Sequence, residues 1–392
     1  MPYILRTNSG QERGKVGFVE LFLDLIYVYA VTQISHNLIT HFSYIKLLET
    51  IFLIVAIWWV WMYTTWAMNW LNPLNSAVRF MLFFQMFGGL ILGVAIPEAF
   101  EQGALPFAIT YSLLQVTRSL FSLMAMDTKK HIRNFQRVTC YLVISSIFWL
   151  SGAYSHEYRY ALWGVALSIE FAGPLMMFLT PWLGATKTKE WDIRGEHMAE
   201  RCGLFVIIAL GESLLVTGAT FEETTHTSLA ISTLIIAFIS TVTMWWIYFS
   251  LGQEHAAERM RLADDPGKIG RIAYTYLHIP IIMGIILTAV SDEILLLHPL
   301  GHHGHTTFLE GFVLVGGPYM FLVGNLFFKK IVFGQYPRSH IFGLLFLSIP
   351  SYYATVRSPL WIALCVMSIL VAVGIMEHRA NNRYKRREGY YD

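Results

Sequence analysis

Residues 17–39 read GFVELFLDLIYVYAVTQISHNLI, an apolar run that carries two carboxylates, Glu20 and Asp24, and a polar far end with Gln33, Ser35, His36 and Asn37. A bilayer core about 30 Å thick takes about 20 helical residues at 1.5 Å each, so this run is long enough to span one. It lacks the small-residue cleavage pattern of a secretory leader and reads as a span rather than a signal peptide. Eleven further apolar runs follow, at 46–67, 77–100, 105–126, 135–154, 158–180, 201–221, 228–252, 270–296, 308–328, 339–356 and 360–376. The eleventh contains Pro350 and is among the shortest. The expected fold class is an all-α membrane protein of about twelve transmembrane helices.

Composition agrees. Of 392 residues, 55% are hydrophobic and 14% charged, against about 25% charged in an ordinary soluble chain. Mean hydropathy is +0.50. These values exclude a disordered, collagen-like or disulfide-framework protein. Cys140, Cys202 and Cys365 fall in or beside apolar runs and show no metal or disulfide spacing. The longest connections, 181–200 and 253–269, are too short for an independent domain, which starts at about 50 residues. Function is therefore expected from helices and short loops.

Basic residues set an orientation. With the N-terminus inside, 24 of the 28 Lys and Arg residues fall on cytoplasmic segments, three outside, and Arg118 within the fourth span. The positive-inside rule then puts both termini in the cytoplasm. The pairs Trp58-Trp59 and Trp245-Trp246 lie 187 residues apart, each in the second span of a six-span set. A similar offset relates Asp24 to Glu212 and Arg79 to Arg271. This predicts two parallel six-helix repeats, 1–180 and 201–378, joined by a cytoplasmic connector at 181–200 and followed by a basic cytoplasmic tail at 379–392. Parallel repeats place a functional site at their interface.

The informative residues are ionisable ones inside apolar runs. Glu20 and Asp24 are four apart and share a helix face. Glu170, Glu212, Arg118 and His278 sit within the sixth, seventh, fourth and ninth spans. Each charge costs about 2.5–3.5 kcal/mol at a helix centre in lipid, so such groups face the bundle interior or water. Two readings stand. In one, Glu20, Asp24, Arg118, Glu170, Glu212 and His278 bind substrate or protons, with Glu20 and Asp24 sharing a proton. In the other, Glu20 caps a helix start, and Asp24 and Glu212 staple helices to Arg118, Arg79 or Arg271. His298, His302, His303 and His305 form an outward loop that reads either as a metal-binding imidazole cluster or as a mobile polar loop. Trp58, Trp59 and Trp61 read as packing or as a pocket lining. No P-loop, dinucleotide fingerprint or nucleophile elbow is present, and no cofactor is expected.

The segments Glu20-Leu21-Phe22-Leu23-Asp24-Leu25 with Ser35-His36, Glu200-Arg201-Cys202-Gly203 leading to Leu210-Gly211-Glu212-Ser213, and His278-Ile279-Pro280 resemble the low temperature requirement protein A (LtrA) family. Leu23 stands where the family pattern usually has a second phenylalanine. The resemblance implies a bacterial-type integral membrane protein associated with growth in the cold, and it supplies no substrate.

The leading functional expectation is a secondary, proton-coupled transporter or an ion-conducting protein of the inner (plasma) membrane. Its expected partners are the lipid bilayer and a small solute or ion, protons included, with no nucleic acid. A membrane-embedded enzyme acting on a lipid or other apolar substrate is the alternative, with a non-catalytic sensor or assembly factor as the third reading.

Overall fold

A computed structural model describes residues 3–6, 16–191, 193–250, 256, 258–260, 262–301 and 304–387. Among the described residues it is helical, with only two isolated bridges, Leu5 to Leu71 and Thr180 to Gly184. The helices are α1 (Phe18–Thr40), α2 (Tyr44–Trp70), α3 (Ser76–Ala95), α4 (Ala104–Ala125), α5 (Lys129–Tyr154), α6 (Arg159–Leu175), α7 (Gly195–Glu223) and α8 (Ser228–Phe249). There follow α9 (Pro266–Leu297), α10 (Phe308–Phe333), α11 (Arg338–Phe346), α12 (Ser348–Tyr352) and α13 (Pro359–Arg387).

Eight of these are long and apolar enough to cross a membrane: α1, α2, α3, α7, α8, α9, α10 and α13. The other four predicted spans fall short of that standard. α4 carries Gln115 and Arg118, α5 begins in a basic turn, and α6 has 17 residues. The eleventh run breaks into α11 and α12 around Leu347, two turns of helix on one side and a short stub containing Pro350 on the other. α13 continues to Arg387, because nothing from Glu377 onward breaks a helix; the predicted tail begins inside it.

The faces of the helices are inverted relative to a soluble protein. α3 exposes Phe80, Phe83, Phe84, Phe87 and Val94 at helical spacing and buries Gln85. α8 exposes Ile231, Ile235, Phe238, Val242 and Trp245 and buries Thr233, Ser240, Thr241 and Thr243. Water would favour the reverse; hydrocarbon favours apolar side chains outside and hydrogen-bonding groups between helices. The chain is a multi-pass membrane protein.

The chain divides into two compact units. Unit 1 comprises Met1–Ile34, Glu49–Arg201 and Met260–Arg271. In it α3 packs on α4, α4 on α5 and α5 on α6. Unit 2 comprises Ser35–Leu48, Cys202–Arg259 and Ile272–Asp392. Its closest pair is α9 with α10, and α8 packs on α13. Small residues make the α9–α10 approach possible: a Cβ on Gly284 would stand 2.5 Å from the Phe321 nitrogen, and one on Gly317 would stand 2.8 Å from the Thr288 nitrogen.

Candidate functional site

Unit 1 contains a buried polar network that climbs from the start of α1. Glu20 and Asp24 are fully buried one turn apart. Facing them at the same spacing on α7 are His197 and Arg201, also fully buried. Glu20 Oε1 lies 2.7 Å from His197 Nε2, and Asp24 Oδ1 lies 2.8 Å from Arg201 Nη2. Both pairings ascend in chain order, so α1 and this part of α7 run in the same sense. The spacing of four residues on each helix is what lets two turns match two turns.

The lower layer is held from several sides. Arg6 Nη2 donates to Glu20 Oε2 at 2.9 Å, and the Gly17 amide donates to the same oxygen at 2.8 Å. Glu20 therefore does cap the helix start, and it binds a cation as well. Asn69 fixes the imidazole: its Oδ1 accepts from the Arg194 amide at 2.7 Å, which orients its Nδ2 toward His197 Nδ1 at 3.4 Å. Nδ1 is then an acceptor, and Nε2–H donates to Glu20.

The middle layer is less satisfied. Trp61 Nε1 donates to Asp24 Oδ1 at 2.6 Å. Arg201 Nη2 also reaches Thr65 Oγ1 at 3.4 Å, and its guanidinium lies over the Trp61 ring, 5.4 Å from the centroid. Among the described residues Asp24 Oδ2, Arg201 Nε and Arg201 Nη1 have no hydrogen-bond partner. Tyr27, one turn above, is within electrostatic reach of Asp24, Arg201 and Arg118.

Above that layer, Arg118 of α4 donates through Nη1 to Thr64 Oγ1 at 3.2 Å and to the Val60 carbonyl at 3.3 Å, and through Nη2 to Gln115 Oε1. Gln115 Nε2 in turn donates to Glu170 Oε2 at 2.7 Å. Glu170 also accepts from Tyr111 at 2.8 Å, Ser145 at 2.5 Å and Trp149 at 3.0 Å. Four donors from α4 and α5 saturate both oxygens, which is the arrangement of an anchor rather than of an open binding group.

The structure thus joins Glu20, Asp24, Arg118 and Glu170 in one unit. It differs from the sequence reading in the partners. Each of Glu20 and Asp24 has its own cation, so they do not form a proton-sharing pair. The cation of Asp24 is Arg201, not Arg118. Sequence reasoning does not reach Arg201 and His197, because hydropathy starts the seventh span at residue 201, at the edge of a basic loop. The helix starts at Gly195, six residues earlier. The available signal was the i, i+4 pair His197/Arg201 matching Glu20/Asp24. Trp58, Trp59 and Trp61 are buried core, and Trp61 also holds Asp24.

Glu212 is half-buried on the part of α7 that belongs to unit 2. His278 is fully buried in unit 2, where α9 opens with a π-helical stretch, Gly270–Tyr276. Its Nδ1 lies 2.9 Å from the Ala273 carbonyl, which can only accept, so Nδ1 carries the proton and Nε2 accepts from the Tyr248 hydroxyl at 2.8 Å. Tyr274 stacks on the ring. In the loop between α9 and α10, His298 and His305 are exposed, and His302 and His303 lie outside the described residues. Among the described residues no three metal-binding side chains converge.

Comparison with known proteins adds the family. An uncharacterized protein of Rhizobium meliloti (strain 1021) is 38% identical over 389 residues, covering 98% of this chain and 93% of that protein. No solved structure matches. Residues 15–375 match the family described as bacterial low temperature requirement A protein, a stretch that holds Glu20, Asp24, Arg118, Glu170, Arg201, Glu212 and His278. The chain belongs to the LtrA family.

Proposed function

We propose that this protein is a secondary transporter or ion-conducting protein of the inner (plasma) membrane, with the Asp24–Arg201 pair at the centre of its site. Twelve helical traverses, arranged as two parallel six-helix repeats with both termini cytoplasmic, form its architecture. The basic-residue distribution and the common sense of α1 and α7 support that arrangement.

The observation that carries the functional reading is the state of the buried pair. A structural ion pair in a dry interior stabilises only when its remaining donors and acceptors are also satisfied. Here Asp24 Oδ2, Arg201 Nε and Arg201 Nη1 are buried with hydrogen-bonding capacity unspent. Native proteins leave few such groups, and each one calls for an explanation. In this reading a proton binds Asp24 Oδ2, or a small solute with donor and acceptor groups engages Asp24 and the Arg201 N–H groups together. His197 and Glu20 control entry from the start of α1, while Glu170 positions Arg118 through Gln115. Glu212 and His278 are proposed as the corresponding groups of unit 2.

The test is flux in proteoliposomes with and without an imposed proton gradient. D24N and R201M are expected to abolish a gradient-dependent flux that the wild type supports. If D24N and E212Q both left every flux at the wild-type rate, the transport reading would fail.

A further inference from the structure

Unit 2 holds a second buried ionic cluster that the reading above does not use. Lys329 of α10, His340 of α11 and Glu377 of α13 are each at most 2% exposed. Lys329 Nζ donates to Glu377 Oε1 and, at 2.7 Å, to the Ile247 carbonyl of α8. His340 Nδ1 lies 3.5 Å from Glu377 Oε2 and 3.1 Å from Ser339 Oγ. One carboxylate therefore has an ammonium bonded to one oxygen and an imidazole within ion-pair distance of the other, from two other helices. Among the described residues Glu377 Oε2 and His340 Nε2 have no hydrogen-bond partner.

The location is as informative as the geometry. Lys329 is one turn from the end of α10, His340 is in the first turn of α11, and Ile247 is in the last turn of α8. Glu377 stands where α13 turns polar, before His378 and Arg379. Three helix ends meet here beside the point where α13 turns polar, so the cluster lies about one turn below an aqueous face. The N-terminus of α11 has Pro337 at its cap and no side-chain cap bond, so its first turn is held only by backbone bonds to the Pro337 carbonyl. Among the described residues, the charged sequence neighbours of the cluster make other contacts or are exposed. Lys330 bonds the Gly334 carbonyl, His378 pairs with Asn382, and Arg338 and Arg379 are exposed. α8 contributes only its carbonyl to the cluster.

We propose that Lys329, Glu377 and His340 form a proton-binding site in unit 2, in which Glu377 exchanges its lysine counter-charge for a proton delivered by His340. A proton from water binds His340 Nε2 when the first turn of α11 opens. The Nδ1–H bond then breaks, the proton forms an O–H bond with Glu377 Oε2, and the imidazole is left neutral with its proton on Nε2. The cluster gains one proton in total. Lys329, still an ammonium, loses its partner, and its four-carbon stem lets the charge snorkel to the nearby headgroup layer.

The experiment is infrared difference spectroscopy on the full-length protein in lipid vesicles, over a pH series that runs from the alkaline side to the acid limit at which the protein stays folded. The wild type is expected to gain a protonated-carboxyl band that E377Q lacks. K329M is expected to show that band already at the alkaline end, because its carboxylate has lost its counter-charge. In H340Q the band should exchange with deuterium about a hundredfold more slowly, the scale of a lost acid–base group. A wild-type spectrum with no band that E377Q removes would overturn the proposal. If E377Q does not fold, K329M and H340Q decide: spectra matching wild type in both onset and exchange rate would overturn it too. The readout is a vibration of one carboxyl group, so its failure is separate from any failure of the transport reading.

Discussion

Arg201 Nη2 lies 2.8 Å from Asp24 Oδ1, and both side chains are fully buried. This contact joins α1 to α7 across 177 residues of sequence and matches the Glu20–His197 contact one turn below. A pair of this kind is held by geometry rather than by strong net attraction, because removing both charges from water offsets most of the Coulomb gain.

It follows that breaking the pair should cost more than replacing it. Single D24L or R201M variants are expected to lose about 3–5 kcal/mol of stability, the cost of an uncompensated buried charge. The double variant D24L/R201M should recover most of that loss while remaining inactive. Unfolding of the three variants in detergent checks this; a double variant as unstable as the sum of the singles would argue against it.

Glu170 accepts from four donors, and an amide in its place would aim two N–H groups at other N–H and O–H groups. E170Q is therefore expected to destabilise unit 1 by about 2–3 kcal/mol. S145A removes one of the four donors and should cost only about 1 kcal/mol. Thermal unfolding of both variants tests the order.

At His278 the two ring nitrogens have different duties. Y248F removes the donor to Nε2 and should cost about 1 kcal/mol. H278N retains a donor near the Nδ1 position toward the Ala273 carbonyl and should be milder than H278L, which leaves that carbonyl unpaired. Equal losses in H278N and H278L would show that the Ala273 contact contributes nothing measurable.

The α9–α10 approach leaves no room for a methyl group at Gly284 or Gly317, since backbone atoms stand opposite. G284A and G317A are each expected to cost about 1–3 kcal/mol by forcing the helices apart. G211A should cost nothing sterically, because nothing lies within 4 Å of that Cβ position. Comparing the folded yields of the three variants in detergent separates crowding from a general intolerance of alanine.

The helical membrane class was readable in the sequence because hydrocarbon imposes it locally. Any chain segment crossing lipid must satisfy its own backbone and be apolar for about 20 residues, and the run containing Glu20 and Asp24 already meets that condition. The same cost argument singles out Glu20, Asp24, Arg118, Glu170, Glu212 and His278 as interior groups; Glu212 is half-buried and the other five are buried. Hydropathy was less informative at helix ends. It placed His197 in a loop and Arg201 at its edge, and it placed Lys329 outside the bilayer, because a charged residue near an apolar boundary lowers the local average whether it faces water or a partner.

Partner choice was decided only by tertiary structure. Four cations and several carboxylates offered many neutral pairings, and their energies in sequence terms are the same. Which ones form depends on the register between helices far apart in the chain. α7 brings Arg201 level with Asp24, and α13 brings Glu377 level with Lys329. Residue type determined which side chains had to leave the lipid; helix packing determined which of them met a counter-charge, as Asp24 does, and which met neutral donors, as Glu170 does.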